Sequence, residues 1–205
     1  MKERVLKKIM GILMMMIPGA LFAEGTVGSS AINSGDTAWV LISAALVLMM
    51  TVPALAMFYA GMVRKKNVLS TLYYSLGSAL VVSILWVLFQ YSITFGGKEL
   101  IPGVIGGFDK SFLENIGITS IYSTMPTVPE FAFSAFQFTF AAITIALISG
   151  AVVERMNFKA WMVFSVVWSI FVYSPIAHMV WNPNGILAKM GVLDYAGGYV
   201  VEMAS

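Results

Sequence analysis

The sequence predicts an all-α polytopic membrane protein. Apolar residues make up 59% of the 205 residues and charged residues only 11%, too few to cover the surface of a soluble domain of this size. Four apolar segments are each long enough to cross about 30 Å of hydrocarbon as a helix. A fifth apolar segment begins at Asp194 and carries two carboxylates, Asp194 and Glu202.

Residues 1–23 have the pattern of a secretory signal peptide. Four basic residues precede an apolar run at 9–21, and Ala20 and Ala23 provide small side chains near a cleavage position. We therefore expect cleavage after Ala23; the alternative is a first membrane helix that is retained. Four of the 12 basic residues lie in this segment, so eight basic and nine acidic residues follow it. This balance argues against a polybasic surface for nucleic acid.

The predicted spans run over about 37–63, 68–95, 128–153 and 158–180, and an incomplete fifth span covers 194–205. Their boundaries carry helix-capping patterns. Thr127-Val-Pro-Glu130 fits a capping box with an early proline at the start of the third span. Asn157 is suited to cap the fourth span. Pro53 and Pro175 fall inside spans, where we expect them to kink the helices.

The distribution of basic residues predicts the orientation in the membrane. Arg64-Lys65-Lys66 lies between the first two spans, and Glu154-Arg155 lies between the third and fourth. The connections on the other side, including the glycine-rich stretch 96–130, are acidic or nearly neutral. By the positive-inside rule the basic turns are cytoplasmic and the mature N terminus is outside. We therefore expect a multi-pass protein of the plasma or inner membrane, in contact with the lipid bilayer.

Three aromatic side chains are candidates for a cation passage. Phe136 and Phe140 are four residues apart, so they lie on one face of the third span, one turn above the other. Trp181 ends the fourth span. The faces of such rings attract cations. Spacing alone, however, favours lipid contact or helix packing for the phenylalanines and an interfacial anchor for the tryptophan.

The two carboxylates of the fifth segment permit different interpretations. Asp194 can cap the helix that it begins, or it can make the outer vestibule attractive to cations. Glu202 is eight residues further along, about 12 Å deeper in the membrane. A charged group at that depth is costly, which indicates a role in a transport pathway; a buried structural hydrogen bond is the alternative.

The remaining chemistry of the sequence is sparse. There is no cysteine, so disulfide and thiolate chemistry are absent. The single histidine, His178, lies among apolar residues, and we interpret it as a hydrogen-bonded structural residue rather than a catalyst. We expect no catalytic residue, no metal site and no cofactor.

Five blocks of sequence resemble, in order and at similar spacing, the signatures of the ammonium transporter (Amt/Mep/Rh) family. The blocks are 53–70 (PALAMFYAGMVRKKNVLS), 136–142 (FQFTFAA), 150–155 (GAVVER), 175–181 (PIAHMVW) and 194–198 (DYAGG). The resemblance covers essentially the whole chain after the predicted signal peptide.

This resemblance implies a fold, an assembly and a function. Family members have eleven membrane helices in two inverted five-helix repeats, form homotrimers, and have a pore in each subunit. The chain corresponds to the first repeat, with its fifth helix incomplete. The implied function is channel-like transport of ammonium or ammonia, with methylammonium as an analogue, and not enzymatic catalysis. A cytoplasmic nitrogen-regulatory protein is a candidate partner.

The family motifs also imply roles for individual residues. Phe136 and Trp181 would bind ammonium at an outer recruitment site supported by Asp194, and Phe140 would be half of a phenylalanine gate below it. Glu202 stands at the position of the first of two pore histidines, where it would take part in a proton relay. A glutamate here is similar to a variant of some fungal Mep-type members. Two alternatives stay open: an ammonium sensor, or an inactive truncated fragment.

Overall fold

Four helical segments of the structure are long and apolar enough to cross a membrane. This computed structural model describes residues 32–205, so the predicted signal peptide at 1–23 lies outside the described residues. The predicted helical membrane fold is confirmed in the described part. In chain order the four segments are Ser34–Gly61 (α1), Lys65–Phe95 (α2), Glu130–Val152 (α3) and Phe158–Lys189, which comprises α4 at 158–181 and the short helix α5 at Ile186–Lys189.

The helix boundaries lie within three residues of the predicted ranges 37–63, 68–95, 128–153 and 158–180. Asn157 caps α4 as predicted, because its side chain accepts a 2.8 Å hydrogen bond from the amide of Ala160. The predicted capping box before α3 is wrong. Thr127 lies in a strand, and Glu130 instead directs its carboxylate to Tyr91 and Lys110.

Three of the four long helices contain a π-helical segment. These segments are Met50–Leu55 in α1, Trp86–Gln90 in α2 and Ser169–Tyr173 in α4. Pro53 lies inside the first, and Pro175 follows the third by two residues. Proline has no amide hydrogen for the helical ladder, so the backbone widens locally to keep its other hydrogen bonds. Both prolines for which kinks were predicted thus lie in or next to a π-helical segment.

Polar side chains inside the helix bundle are paired across the helices. Gln90 in α2 donates to the hydroxyl of Ser169 in α4 at 2.7 Å, which joins two of the π-helical segments. The indole of Trp86 donates to the hydroxyl of Ser134 in α3 at 3.1 Å. An unsatisfied polar group in hydrocarbon costs several kcal/mol. These bonds therefore restrict how α2, α3 and α4 can shift relative to one another.

The outer faces of the helices are covered by exposed apolar side chains. Large side chains that are more than half exposed occur on α1, α2 and α4, and examples are Trp39, Phe58, Leu80, Val163 and Phe171. Water would disfavour so large an apolar surface, whereas lipid tails do not. The distribution is that of helices surrounded by a bilayer or by further membrane helices.

The connection between α2 and α3 contains two small antiparallel sheets. Strand β1 (Glu99–Ile101) pairs with β2 (Ile105–Gly106), and β3 (Ile121–Tyr122) pairs with β4 (Met125–Pro129). A single turn of 3-10 helix at Ser111–Leu113 lies between the sheets. We refer to residues 96–129 as the connecting segment.

His178 attaches the connecting segment to the ends of α2 and α4. Its ring is fully buried, and its Nδ1 donates to the carbonyl of Thr94 at 2.8 Å. Its Nε2 lies 3.2 Å from Oε1 of Glu99. The amide of Gly103 holds the pKa of Glu99 below its usual range, and His178 acts in the same direction. These contacts agree with the interpretation of His178 as a structural residue.

At the opposite end of the bundle, Glu154 joins the two basic turns. Its Oε1 accepts hydrogen bonds from the Asn67 amide group at 2.6 Å and from the backbone amide and Nε of Arg64, both at 3.1 Å. The bonds from Asn67 and Arg64 lower the pKa of Glu154 to about 2. The carboxylate therefore holds the α1–α2 turn against the α3–α4 turn.

Gly150 in α3 allows Tyr59 of α1 to lie directly against the helix backbone. A Cβ at Gly150 would stand 2.5 Å from two ring carbons of Tyr59, and the Tyr59 hydroxyl is held by donation to the carbonyl of Leu147 at 2.9 Å. The ring therefore has little freedom to move away.

We expect Gly150→Ala to lower the free energy of unfolding by about 1–3 kcal/mol, the usual cost of overpacking. The measurement is the thermal melting of the purified protein in detergent. Gly61→Ala is the matched control, because a Cβ at that position would have no described atom within 4 Å apart from its chain neighbours and the backbone of its own helix. Equal melting temperatures for the two variants would contradict this description of the α1–α3 contact.

The depressed pKa of Glu154 predicts a pH dependence of stability. The folded value of about 2 is below the ordinary value of 4.5, so the carboxylate stabilises the fold above about pH 4.5, and this contribution is lost as the pH falls towards 2. We expect Glu154→Gln to melt below the wild type at pH 7 and to approach it at pH values near 2. Glu114→Gln, at an exposed position, should match the wild type throughout. A gap for Glu154→Gln that does not change with pH would refute the ionised contact.

Candidate functional site

Helices α3 and α4 bring the three predicted aromatic residues into one cluster. The ring centroids of Phe136 and Phe140 are 4.9 Å apart, with the rings at 88°. The ring of Phe140 is 5.8 Å from that of Trp181, at 71°. All three side chains are partly buried. Such edge-to-face contacts are favourable between aromatic rings, so each residue helps to orient the next. We call Phe136, Phe140 and Trp181 the aromatic cluster.

Asp194 binds the aromatic cluster directly. Its Oδ2 accepts a 2.9 Å hydrogen bond from the indole Nε1–H of Trp181, and its Oδ1 accepts one from the backbone amide of Tyr199 at 3.2 Å. Hydrogen bonds to a carboxylate are stronger than those between neutral groups. The acid therefore fixes the plane of the indole and at the same time holds the chain that follows α5.

The cluster combines three features that attract a small cation. Aromatic faces carry negative electrostatic potential, and tryptophan is the strongest of the aromatic residues in this respect. The indole donates its hydrogen to Asp194 at the ring edge, which leaves the ring faces free of that bond. The negative charge of the carboxylate adds to the potential around the indole. The arrangement suits a cation that also donates hydrogen bonds.

The predicted fifth span does not form a regular helix in the structure. Residues 197–203 form successive turns, with hydrogen bonds from the amide of Val201 to the carbonyl of Gly197 at 2.7 Å and from Met203 to Gly198 at 3.3 Å. Gly197 has φ +84°, which a right-handed helix does not contain. This conformation also explains why Asp194 accepts from Tyr199 and not from a residue two or three positions on, as a regular N-cap would.

Two indole groups of α4 anchor this terminal segment. Trp168 Nε1 donates to the carbonyl of Ala204 at 2.7 Å, and Trp181 donates to Asp194. Trp168 was not among the candidate residues predicted from the sequence. The signal that could have identified it is its position in an apolar span, where a buried indole N–H needs an acceptor.

Glu202 lies on the outer side of the terminal segment. Its side chain is exposed and makes no hydrogen bond to another helix of the described residues. Its Oε2 stands 3.6 Å from the place that a Cβ on Gly198 would take, so the carboxylate folds back over its own segment. Among the described residues, nothing covers the face of the segment that carries Glu202.

Within residues 32–205, no group of three or more histidine, cysteine, aspartate or glutamate side chains is placed to hold a metal ion. The candidate site is therefore built from aromatic rings and a single carboxylate.

Comparison with protein families identifies relatives over almost the whole described chain. The model of the Ammonium Transporter Family matches residues 38–205. A protein of Methanothermobacter thermautotrophicus is 52% identical over 175 residues, which cover 85% of this chain and 42% of that protein. The ammonium transporter of Bacillus subtilis is 47% identical over 174 residues, covering 83% and 41%. The chain thus spans about two fifths of the length of these relatives.

Solved structures show the same fold. Saccharomyces cerevisiae Mep2 aligns with a TM-score of 0.73 and 33% identity, over 87% of this chain and 40% of that one. Candida albicans Mep2 aligns with a TM-score of 0.72 and 32% identity, over 84% of this chain and 37% of that one. A sensor Amt protein, at 24% identity and a TM-score of 0.70, shares the fold. The relatives are transporters and not enzymes, and the chain, with a partial transporter fold, belongs to the ammonium transporter family.

Proposed function

We propose that this chain provides the outer ammonium-binding site and the upper gate of an ammonium or ammonia transporter. The observation that carries the proposal is the hydrogen bond from Trp181 to Asp194 beside the rings of Phe136 and Phe140. It places a tryptophan ring, the aromatic side chain that attracts cations most strongly, next to a carboxylate. Membership of the family supports the same role, and methylammonium serves as the analogue for measurement.

Recruitment of ammonium is the first step of the proposed function. Ammonium resembles potassium in size, so a site that sorts ions by radius alone separates them weakly. A site of aromatic faces and nearby hydrogen-bond acceptors favours an ion that carries N–H donors. Trp181 and Phe136 would supply the faces, and Asp194 would hold the indole and add negative potential.

Phe140 is the proposed gate residue. Its ring contacts both Phe136 and Trp181, and it lies one helical turn further along α3 than Phe136. A ring in that place keeps water from following the substrate and disfavours a bare ion in an apolar passage. Passage would require the Phe140 ring to rotate, because its two neighbours are themselves held in place.

Glu202 is the proposed proton-relay residue below the gate. Its exposure in this structure fits the proposal if the remainder of a full-length subunit covers that face, as expected from relatives of more than twice the aligned length. A carboxylate binds positive charge more strongly than a neutral imidazole. We therefore propose that Glu202 gives the pore a pH dependence and a cation discrimination different from those of members with histidine at this position.

The proposal extends to the surroundings of the pore. The exposed apolar side chains of α1, α2 and α4 suit lipid and the subunit contacts of a homotrimer. The basic turns joined by Glu154 would face the cytoplasm of a cell with a plasma or inner membrane, where a nitrogen-regulatory protein could bind. The mature N terminus would then lie outside.

The first test of the proposed function measures uptake of labelled methylammonium in cells that lack their own ammonium uptake. This chain is expressed alone and, in parallel, joined in frame to the remaining length of the Bacillus subtilis ammonium transporter. Uptake by the joined protein supports the proposed function, and uptake by the chain alone would show that it is sufficient. No uptake by a joined protein that reaches the membrane would contradict the proposed function.

In the joined protein we expect Asp194→Asn to raise the KM for methylammonium about tenfold, because loss of one nearby charge removes on the order of 1 kcal/mol of cation binding. The maximal rate should change less. Asp36→Asn, at an exposed position early in α1, is the matched control and should leave KM unchanged. Identical KM values for the two variants would remove Asp194 from the binding site.

We also expect Glu202→His to change the pH profile of uptake. An imidazole and a carboxylate exchange protons in different pH ranges, so the dependence of uptake on pH should change. Inhibition of uptake by potassium should weaken in the same variant. Glu114→His, in the connecting segment, serves as the control. If neither the pH profile nor the potassium inhibition changes, Glu202 has no part in the pathway.

A further inference from the structure

The ammonium group of Lys110 lies inside the protein, in the connecting segment. Its Nζ pairs with the carboxylate of Glu130 and lies 5.4 Å from the centroid of the Tyr122 ring and 5.9 Å from that of Tyr91. The side chain of Lys110 is 18% exposed and that of Glu130 is 4% exposed. One carboxylate and two aromatic faces around an ammonium group are the elements with which proteins bind organic ammonium ligands.

The three groups around this ammonium are fixed by contacts of their own. The hydroxyl of Tyr91, in α2, donates to Oε1 of Glu130 at 2.7 Å, and Glu130 is the first residue of α3. The ring of Tyr122, in β3, stacks on Phe133 of α3 with centroids 4.5 Å apart and an angle of 11°. Burial and the charge of Glu130 raise the pKa of Tyr122, so its hydroxyl stays neutral. Glu130, Tyr91 and Tyr122 are therefore held in place by contacts that do not involve Lys110.

The backbone of Lys110 is held next to the same place. Its amide donates to the hydroxyl of Ser92 at 2.8 Å, and that hydroxyl donates to the carbonyl of Gly107 at 2.8 Å. Ser92 follows Tyr91 in α2. The side chain thus reaches from the connecting segment into a site formed mainly by α2 and α3. Removing it would leave the carboxylate of Glu130 buried without its cation, which is strongly unfavourable.

We propose that Glu130, Tyr91 and Tyr122 form a binding site for a primary ammonium group and that Lys110 occupies this site as an internal ligand. Occupation by Lys110 fastens the connecting segment to the first turn of α3. The ligand class is ammonium or a small primary alkylammonium ion. The site shares no residue with the aromatic cluster and Asp194, so the proposal does not depend on the proposed transport function.

The test is chemical rescue of Lys110→Ala, measured by thermal melting of the full chain in detergent. Loss of the buried cation should lower the melting temperature by about 10 °C. Methylammonium or ethylammonium chloride, in excess of its Kd, should restore most of this loss by binding in place of the side chain. Potassium chloride at the same ionic strength should not, and neither should tetramethylammonium, which has no N–H donor. Each change in melting temperature is compared with the change that the same salt causes in the wild type.

Two further variants test whether the rescue is specific to the site around Lys110. Lys98→Ala removes an exposed lysine of the same segment and should neither lower the melting temperature nor respond to methylammonium more than the wild type does. Lys110→Ala combined with Glu130→Gln leaves no buried charge unpaired. This double variant should melt above Lys110→Ala and should lose the response to methylammonium.

Lys110→Met, which keeps most of the aliphatic stem and vacates only the position of the ammonium group, repeats the test with ammonium chloride if Lys110→Ala does not fold. If neither variant folds without ligand, the yield of folded protein prepared in methylammonium is compared with the yield in potassium chloride. Higher yield in methylammonium supports the proposal, and equal failure in both salts overturns it. The proposal is also overturned if Lys110→Ala melts like Lys98→Ala, or if potassium chloride restores stability as well as methylammonium does.

Discussion

The hydrogen bond from the Trp181 indole to the Asp194 carboxylate connects most of the features that bear on function. It joins the end of α4 to the terminal segment and sets the plane of the indole against Phe140. It also places a negative charge beside the aromatic cluster. An indole N–H at this depth needs an acceptor, and a carboxylate needs donors. The two requirements are met by one contact.

The need of buried polar groups for hydrogen-bond partners also explains the polar contacts in the rest of the bundle. Polar groups that cannot reach water are paired across helices, as Gln90 is with Ser169, and both ends of the bundle are closed by an acid that accepts several hydrogen bonds. Glu154 joins the two basic turns at one end, and Glu130 binds Tyr91 and Lys110 at the other. Apolar side chains both fill the core between the helices and cover the outer faces that meet lipid. The bundle is thus held by a buried apolar core together with a few polar contacts at its ends and middle.

Sequence patterns predicted those features that depend on local chemistry. The lengths of the apolar segments predicted α1 to α4, because crossing hydrocarbon sets a minimum length, and Asn157 was predicted as a cap from its position alone. Features that depend on distant partners were not predictable. Glu130 fits a capping box by spacing, but its carboxylate is taken by residues 20 and 39 positions away. The terminal segment reads as a helix by hydropathy, whereas the positive φ of Gly197 bends it into turns.

The most direct test of the central claim is the ¹⁵N–¹H NMR signal of the Trp181 indole, with methylammonium titrated into the chain in detergent micelles. Comparison with Trp181→Phe assigns the signal among the five tryptophans. We expect the Trp181 signal to shift with methylammonium in a saturable way. The signal of Trp161, a buried indole that donates to the carbonyl of Tyr74, should stay in place. No shift at Trp181, or equal shifts at both indoles, would contradict a cation site at the Trp181–Asp194 contact.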